Sequence, residues 1–230
     1  MEKTRKVKII SLCAVLVAVL GLTVAFASLS QTLTINGSAT VDAATWSVRF
    51  ATSDDELGTL KHPSFELGGD GTANENVTIT KTSITNVSLG VTKPNDMAII
   101  QDYLLNEGTI GAKLVSYELP TLCTTSSPVE SCDWDNDGTV SKSDVDKVNE
   151  NISVIGYCSP YSGSSMYKVG DVMEAPSLGT CAFGIAYVKI KNLEGFMNGD
   201  ESSFEESTEL PSRSLKFSNL SFKVNFAQAD

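Results

Sequence analysis

Short runs of alternating apolar and polar residues cover most of this chain, and a period of two is typical of half-buried β-strands. Turn-forming residues such as Asn, Gly and Pro separate the runs. Many short strands without βαβ alternation predict a mainly β fold, an antiparallel β-sandwich. The predicted strands lie at 32–35, 39–41, 45–50, 77–80, 87–91, 97–105, 110–117, 181–190, 214–217 and 220–226.

A helical pattern stands out at 143–152. There Val145, Val148 and Ile152 recur at the spacing that places apolar side chains on one face of an α-helix. This is the only convincing helix that the pattern predicts beyond the N-terminus. It follows directly on an acidic stretch that is discussed below.

The segment 121–181 differs in composition from the sequence on either side of it. It contains the acidic stretch, the predicted helix and four of the five cysteines. Predicted strands stop before it and resume after it, so we interpret it as an insertion into a sandwich formed by 28–120 and 182–230. Residues 194–212, rich in Glu, Ser and Gly, are predicted to be a long exposed loop.

The N-terminus predicts export. Basic residues at positions 3, 5, 6 and 8 precede an almost wholly apolar run at 9–27, which ends in Ala25-Phe26-Ala27. This order is typical of a secretory signal with small residues at the cleavage site. A run of this length can also span a bilayer. Residues 1–27 are therefore either a cleaved signal or a membrane anchor, and the remainder is extracellular or on the cell surface.

The acidic net charge limits the kinds of partner that this chain is expected to bind. The formal net charge is −11, and it becomes −14 once residues 1–27, with four basic residues and one acidic residue, are removed. Such an acidic chain is not expected to bind nucleic acid or anionic membrane surfaces. We expect membrane contact only through 9–27, if that segment is retained. The hydrophobic fraction of 41% is enough for a folded core.

The cysteines predict disulfides. Cys13 lies inside the apolar run and is interpreted as a small hydrophobic residue. The other four form an even number in an exported chain, which indicates disulfide bonds. Three pairings are possible, and we favour a nested one, Cys132 with Cys158 and Cys123 with Cys181. Free thiols or a zinc site are the alternatives, but no CxxC pair or nearby histidine supports zinc.

The stretch 133–144, called the metal loop below, has the spacing of a calcium-binding loop. Oxygen-bearing side chains occupy positions 1, 3, 5, 9 and 12, the backbone carbonyl of position 7 faces the ion, and Gly138 at position 6 permits a sharp turn. We predict a structural calcium site with weak affinity. The predicted ligands are Asp133, Asp135, Asp137, Thr139, Ser141 and Asp144.

Several features depart from a standard EF-hand. The last ligand is Asp144 where a Glu is usual, Trp134 at position 2 is uncommon, and no entering helix is evident because Pro128 lies just upstream. The short last ligand and the single exiting helix are similar to one repeat of a dockerin, but the second repeat is missing. The alternative is an acidic, solvated loop without a metal, since Asp and Gly are common in turns.

An enzymatic activity is not predicted. The single histidine, His62, excludes a catalytic triad or a zinc site that depends on several histidines. The paired carboxylates at 54–55 and 205–206 could in principle perform acid–base chemistry. They lie in polar stretches, where such pairs are usually solvated, and no motif assigns them catalytic roles.

Several blocks of the sequence together resemble secreted bacterial proteins of the TasA/camelysin type. Each block is weakly specific, and the resemblance lies in their order along about half of the chain. The blocks are ASLS at 27–30, LTINGSA at 33–39, VTKPND at 91–96, NEGTIGA at 106–112 and LSFKVNFAQ at 220–228. The segment 121–181 departs from the pattern of this family.

The resemblance implies a jelly-roll-like sandwich, export from a Gram-positive-type bacterium and assembly into surface or biofilm-matrix fibres. It also implies that 29–41 completes the sheet of a neighbouring copy, with Leu33 and Ile35 as the inserted residues. No matching zinc motif is present, so protease activity is not transferred. We therefore expect a structural matrix protein that associates with itself or with other surface proteins. The alternative is a calcium-dependent adhesin or dockerin-like binding module.

Overall fold

The computed structural model describes residues 44–52, 55, 63–163 and 165–229. They form mainly β-structure in antiparallel sheets with few helices, as the sequence predicted. The predicted strands at 32–35 and 39–41, the signal segment 1–27 and His62 lie outside the described residues. The strands are β1 (Val48–Phe50), β2 (Ser64–Gly68), β3 (Thr72–Ala73), β4 (Thr78–Ile79), β5 (Ser83–Val91), β6 (Met97–Asn106), β7 (Ala112–Glu118), β8 (Ser153–Pro160), β9 (Val172–Met173), β10 (Ser177–Ala186), β11 (Val188–Ile190), β12 (Phe204–Glu206) and β13 (Leu215–Gln228).

Among the described residues, three short α-helices and one 3₁₀ turn accompany these strands. The helices are α1 (Val129–Cys132), α2 (Lys142–Asn151) and α3 (Leu193–Met197), and the 3₁₀ turn is Glu201–Ser203. Helix α2 is the helix that the apolar spacing predicted. It begins one residue before the predicted start, because the Ser141 side chain caps it there.

The first sheet has the strand order β1-β6-β10-β8, with β2 also paired to β6. Its long central strands β6 and β10 pair over their whole length, from Met97 opposite Ala186 to Asn106 opposite Ser177. The second sheet has the order β3-β5-β13-β7-β9, with β4 also paired to β5. Its central strand β13 shifts register beside Asn219, whose φ of 58° lies in the left-handed region that Asn tolerates.

The core lies between these two sheets. The ring of Phe183 on β10 is 6.0 Å from that of Phe50 on β1 and 5.2 Å from that of Phe222 on β13. All three side chains are fully buried. Contacts between aromatic rings of both sheets, together with the surrounding aliphatic side chains, give the sandwich-like arrangement a shared apolar interior. The jelly-roll connectivity that the resemblance implies remains a prediction.

A smaller apolar cluster covers the outer face of the first sheet. Ile99 and Ile155 are fully buried there, and Leu193 and Phe196 of α3 pack against their cluster. The prediction that 194–212 is a long exposed loop is therefore wrong. The stretch also contains the 3₁₀ turn and β12, which pairs with β11. The apolar residues of this stretch are too sparse to form a periodic pattern in the sequence. They nevertheless pack against the outer face of the first sheet.

The prediction that the segment 121–181 contains no strands is also wrong. Strand β8 lies inside this segment, and β10 begins inside it at Ser177. Because β8 has buried residues on both faces, its sequence does not alternate clearly between apolar and polar residues. The part without strands is 119–152, which contains α1, the metal loop and α2.

All four predicted cysteines form disulfides, but the nested pairing of Cys132 with Cys158 and Cys123 with Cys181 is wrong. The bonds are Cys123–Cys132 and Cys158–Cys181. Strand register explains the second bond: Cys158 on β8 lies directly opposite Cys181 on β10, with their Cα atoms 4.0 Å apart. Register is a tertiary property, so sequence spacing alone could not select this pairing.

The buried carboxyl group of Asp102 on β6 should make the stability of the folded protein depend on pH. The side chain is 2% exposed, and burial, together with the charge of Asp55, raises its pKa from 3.8 to about 7, although the amide of Tyr103 donates to it. Between these pH values the folded protein keeps a proton that the unfolded chain has released. Stability should therefore fall as the pH rises through this window, by at most about 1.4 kcal/mol per pH unit.

Urea unfolding at pH 5 and pH 7 checks this prediction. Carboxylates with a lowered pKa, such as Asp55, lose their stabilising contribution only at more acidic pH, so they do not mask the effect. The Asp102→Asn variant should lose the part of the pH dependence that Asp102 causes. An identical pH dependence in the variant and the parent protein would show that Asp102 titrates normally.

Candidate metal centre

The metal loop connects α1 to α2. Its backbone turns twice through the left-handed region, at Asn136 with φ 62° and at Gly138 with φ 91°. A β-carbon at Gly138 would meet no atom within 4 Å, so the glycine is required by its backbone conformation and not by space. These two residues bend the chain so that the side chains on either side of the turn face one another.

Three carboxylates converge inside this turn. The ligand oxygens of Asp133, Asp135 and Asp137 lie within 4.8 Å of one another, and this group could hold a metal ion. Asp133 is fully buried, whereas Asp135 and Asp137 are exposed. Loss of hydration, followed by the negative charges of Asp137, Asp144 and Asp133, raises the pKa of Asp135. The loop therefore concentrates negative charge that a cation would neutralise.

Backbone amides hold all three carboxylates in place, and Asp135 accepts from the amide of Asp137 at 3.2 Å. Asp133 accepts hydrogen bonds from the amides of Asp137 at 3.1 Å and Gly138 at 3.0 Å. Asp137 accepts from the amide of Thr139 at 2.8 Å and from its hydroxyl at 2.7 Å. A carboxylate has about four lone-pair positions, so these bonds leave room for a metal on the same groups. The carboxylates are thus oriented by the fold of the loop itself.

Asp144 does not belong to the cluster of three. Its oxygens accept from the amide of Trp134 at 3.1 Å and from the amide and hydroxyl of Ser141 at 2.8 and 2.5 Å. Burial raises its pKa, but these hydrogen bonds outweigh burial and lower the pKa overall. Ser141 in turn accepts from the Asp144 amide, which completes a capping box at the start of α2. The predicted roles of Thr139, Ser141 and Asp144 as ligands remain predictions.

Trp134 connects the loop to the core of the protein. Its side chain is 4% exposed, and its ring meets that of the buried Tyr187 edge to face at 6.1 Å. The ammonium of Lys147, on α2, lies 5.9 Å from the Trp134 ring. Trp134, which is uncommon at position 2 of such loops, therefore fixes the metal loop against the sandwich by packing on Tyr187.

A second contact comes from the chain just before β13. The amide of Ser212 donates to the Trp134 carbonyl at 2.8 Å, and Lys147 forms an ion pair with Glu209. The Tyr187 hydroxyl also donates to the Glu209 carbonyl at 2.6 Å. No spacing in the sequence indicates these contacts, because 207–213 is more than sixty residues from the loop and has no periodic pattern.

The entry side of the loop is fixed by α1. The Asp133 amide donates to the Val129 carbonyl at 3.0 Å, and the hydroxyl of Ser131 donates to the Lys216 carbonyl on β13 at 2.9 Å. Cys132, the residue before Asp133, is bonded to Cys123. A single short turn of helix and a disulfide therefore occupy the place of the entering helix that the sequence lacks.

Two of the paired carboxylates considered for acid–base chemistry, Asp55 and Glu205, form ion pairs. Asp55 binds the Arg49 guanidinium at 2.6 Å, and this contact holds its pKa well below the ordinary value. Glu205 lies 2.8 Å from Lys191, which lowers its pKa as well. Asp54 is outside the described residues. These contacts give Asp55 and Glu205 a structural role, and Glu206 accepts a hydrogen bond from the Asn95 side chain at 3.2 Å.

Comparisons with protein-family models, curated proteins and solved structures find no match to this chain. Within the part of the chain that the structure describes, no helix has both the length and the apolar character needed to cross a membrane. The apolar run at 9–27 is outside that part.

Proposed function

We propose that this chain is a non-enzymatic structural protein of the bacterial cell surface or extracellular matrix, in which the metal loop holds one structural calcium ion. The observation that carries the calcium site is the convergence of Asp133, Asp135 and Asp137 within 4.8 Å. All three ligands are oxygens, and calcium is a hard cation that prefers six to eight oxygen ligands. Backbone carbonyls, hydroxyls and water would complete its shell.

A structural role suits this site better than a sensing role. The loop is held on both sides, by α1 with its disulfide and by Trp134 against Tyr187. It therefore has few means of opening a helix pair in response to calcium. An extracellular module needs a Kd of only about 10⁻⁴–10⁻³ M to be filled. Calcium would then cross-link the loop and neutralise its carboxylates.

Export is supported by three features. Two disulfides are consistent with an oxidising compartment. The basic head and apolar run at 1–27 form a secretory signal or anchor. The acidic net charge of −11 suits a calcium-rich exterior. Together these features support a location outside the cell, on its surface or in the surrounding matrix.

An open sheet edge supports self-association. Strand β2 pairs with β6 on one side, and among the described residues no strand pairs with its other side. Unpaired amides and carbonyls on such an edge can accept a strand from another chain. Leu67 on this strand is 52% exposed. We propose that 29–41 of a neighbouring copy supplies a strand, with Leu33 and Ile35 as its inserted residues.

Electron microscopy of the protein without residues 1–27 tests this function. We expect fibres from this protein and a loss of fibres in the Leu33→Ala, Ile35→Ala double variant. The matched control, Thr32→Ala with Thr34→Ala, changes the opposite face of the same predicted strand and should still form fibres. Fibres that persist in the first variant, or that never form, would contradict the proposal. Calcium-dependent capture of another surface protein without fibres would favour the adhesin or dockerin-like alternative.

A further inference from the structure

We propose that the Cys123–Cys132 disulfide sets the geometry of the metal loop, so that the oxidation state of this bond and the occupancy of the calcium site control each other. This inference rests on the calcium site of the proposed function. It adds a regulatory property to that site, because an oxidising compartment would assemble the site and a reducing one would weaken it.

The Cys123–Cys132 bond lies directly beside the metal loop. Cys132 ends α1 and directly precedes Asp133, the first residue of the metal loop. Helix α1 has only four residues, and an isolated helix of that length is unstable in water. The disulfide joins its last residue to Cys123, with the two Cα atoms 5.8 Å apart. A covalent bond thus fixes the backbone next to a predicted ligand.

The Cys123–Cys132 bond is also buried. Cys123 is 2% exposed, and Cys132 and Asp133 are fully buried. A reductant can reach the bond only after this segment has opened. Opening would also break the hydrogen bond from the Asp133 amide to Val129 and move the Asp133 carboxylate away from its partners. The event that exposes the disulfide is therefore the event that takes the metal site apart.

The chemistry of reduction is simple. A thiolate of a dithiol reductant attacks one sulfur, the S–S bond breaks, and the second thiol of the reductant completes the exchange. Two electrons and two protons pass to the cysteines, which become thiols, while the reductant becomes a disulfide. Binding linkage then requires reciprocity: the factor by which reduction weakens calcium binding equals the factor by which calcium favours the oxidised form.

Reduction kinetics test the coupling, with the second disulfide as an internal control. Oxidised protein is incubated with dithiothreitol, in either chelator or calcium, and alkylated at intervals for mass spectrometry. Calcium should slow reduction of Cys123–Cys132 by at least about tenfold, within the usual range of such couplings. Cys158–Cys181, whose two cysteines are also fully buried, joins β8 to β10 and is exposed only when the sandwich unfolds. In chelator it should therefore be reduced more slowly than Cys123–Cys132, which local opening of the metal loop exposes. Equal rates in chelator and calcium at Cys123–Cys132 would overturn the inference.

A Cys123→Ser, Cys132→Ser variant provides the second test. Its calcium affinity should be at least about tenfold weaker than that of the parent protein. If this variant does not fold, the reduction kinetics of the parent protein still test the coupling between the disulfide and the calcium site. The failures are distinguishable, since an oxidised parent protein that binds no calcium contradicts the proposed function itself. A parent protein that binds calcium without protecting the disulfide, or a folded variant of unchanged affinity, contradicts the coupling alone.

Discussion

Replacing Asp133 with asparagine is expected to weaken calcium binding by at least about a hundredfold, since even residues that only support a ligand contribute ten- to a hundredfold. The change removes a negative charge from the centre of a group whose oxygens lie within 4.8 Å of one another. It also places an amide group where a carboxylate accepts from the amides of Asp137 and Gly138. Titration with calcium, followed by the fluorescence of Trp134, measures the effect.

Asp146→Asn is the matched control for this variant. Asp146 lies on α2, close to the metal loop but outside it, and its carboxylate pairs with Lys142 at the surface. The control makes the same change in charge, so its calcium affinity should change by no more than a few fold, because surface charges are screened by salt. Equal affinities of Asp133→Asn and the parent protein would show that Asp133 is not a ligand.

The second large effect is expected from Trp134→Ala. Replacement of a buried Trp or Phe by Ala typically costs about 3–5 kcal/mol of unfolding free energy. Trp134 is 4% exposed and contacts the buried Tyr187. Its loss would leave a cavity between the metal loop and the sandwich. Urea unfolding followed by circular dichroism measures the change without relying on the missing fluorophore.

The other tryptophan supplies the comparison. Trp46 is 44% exposed, so Trp46→Ala should cost less than about 1 kcal/mol, as is usual for surface positions. If both substitutions cost the same, Trp134 does not join the loop to the core. If Trp134→Ala lowers stability as expected, the loop is part of the folded unit and not an independent appendage.

The features that the sequence predicted correctly are those set by local periodicity. Strand β6, at 97–106, is a mostly apolar run between two turn signals, and α2 shows helical spacing together with the Ser141 cap. The turn of the metal loop was likewise predictable, because Gly138 and the aspartates on either side of it occur at fixed spacing within twelve residues. In each case the physical requirement operates over a few neighbouring residues.

The features that the sequence did not predict depend on contacts between distant parts of the chain. The partner of Cys181 follows from its register opposite Cys158, and β8 was missed because it is buried on both faces. The contacts from 207–213 to the loop join segments that are far apart in sequence. Trp134 is uncommon at its position in the loop, but the sequence does not show that it packs against Tyr187, which is distant in the chain.

Thermal unfolding of the oxidised protein, in chelator and in calcium, tests the central claim most directly. With a Kd of about 10⁻⁴ M and about 10 mM calcium, linkage predicts a stabilisation of about 2.7 kcal/mol. For a domain of this size that energy corresponds to a rise in Tm of about 5–10 °C. This rise is expected in the parent protein, whereas a hundredfold weaker affinity in Asp133→Asn leaves about 0.4 kcal/mol, or about 1–2 °C. An identical Tm of the parent protein in chelator and in calcium would contradict the presence of a structural calcium site.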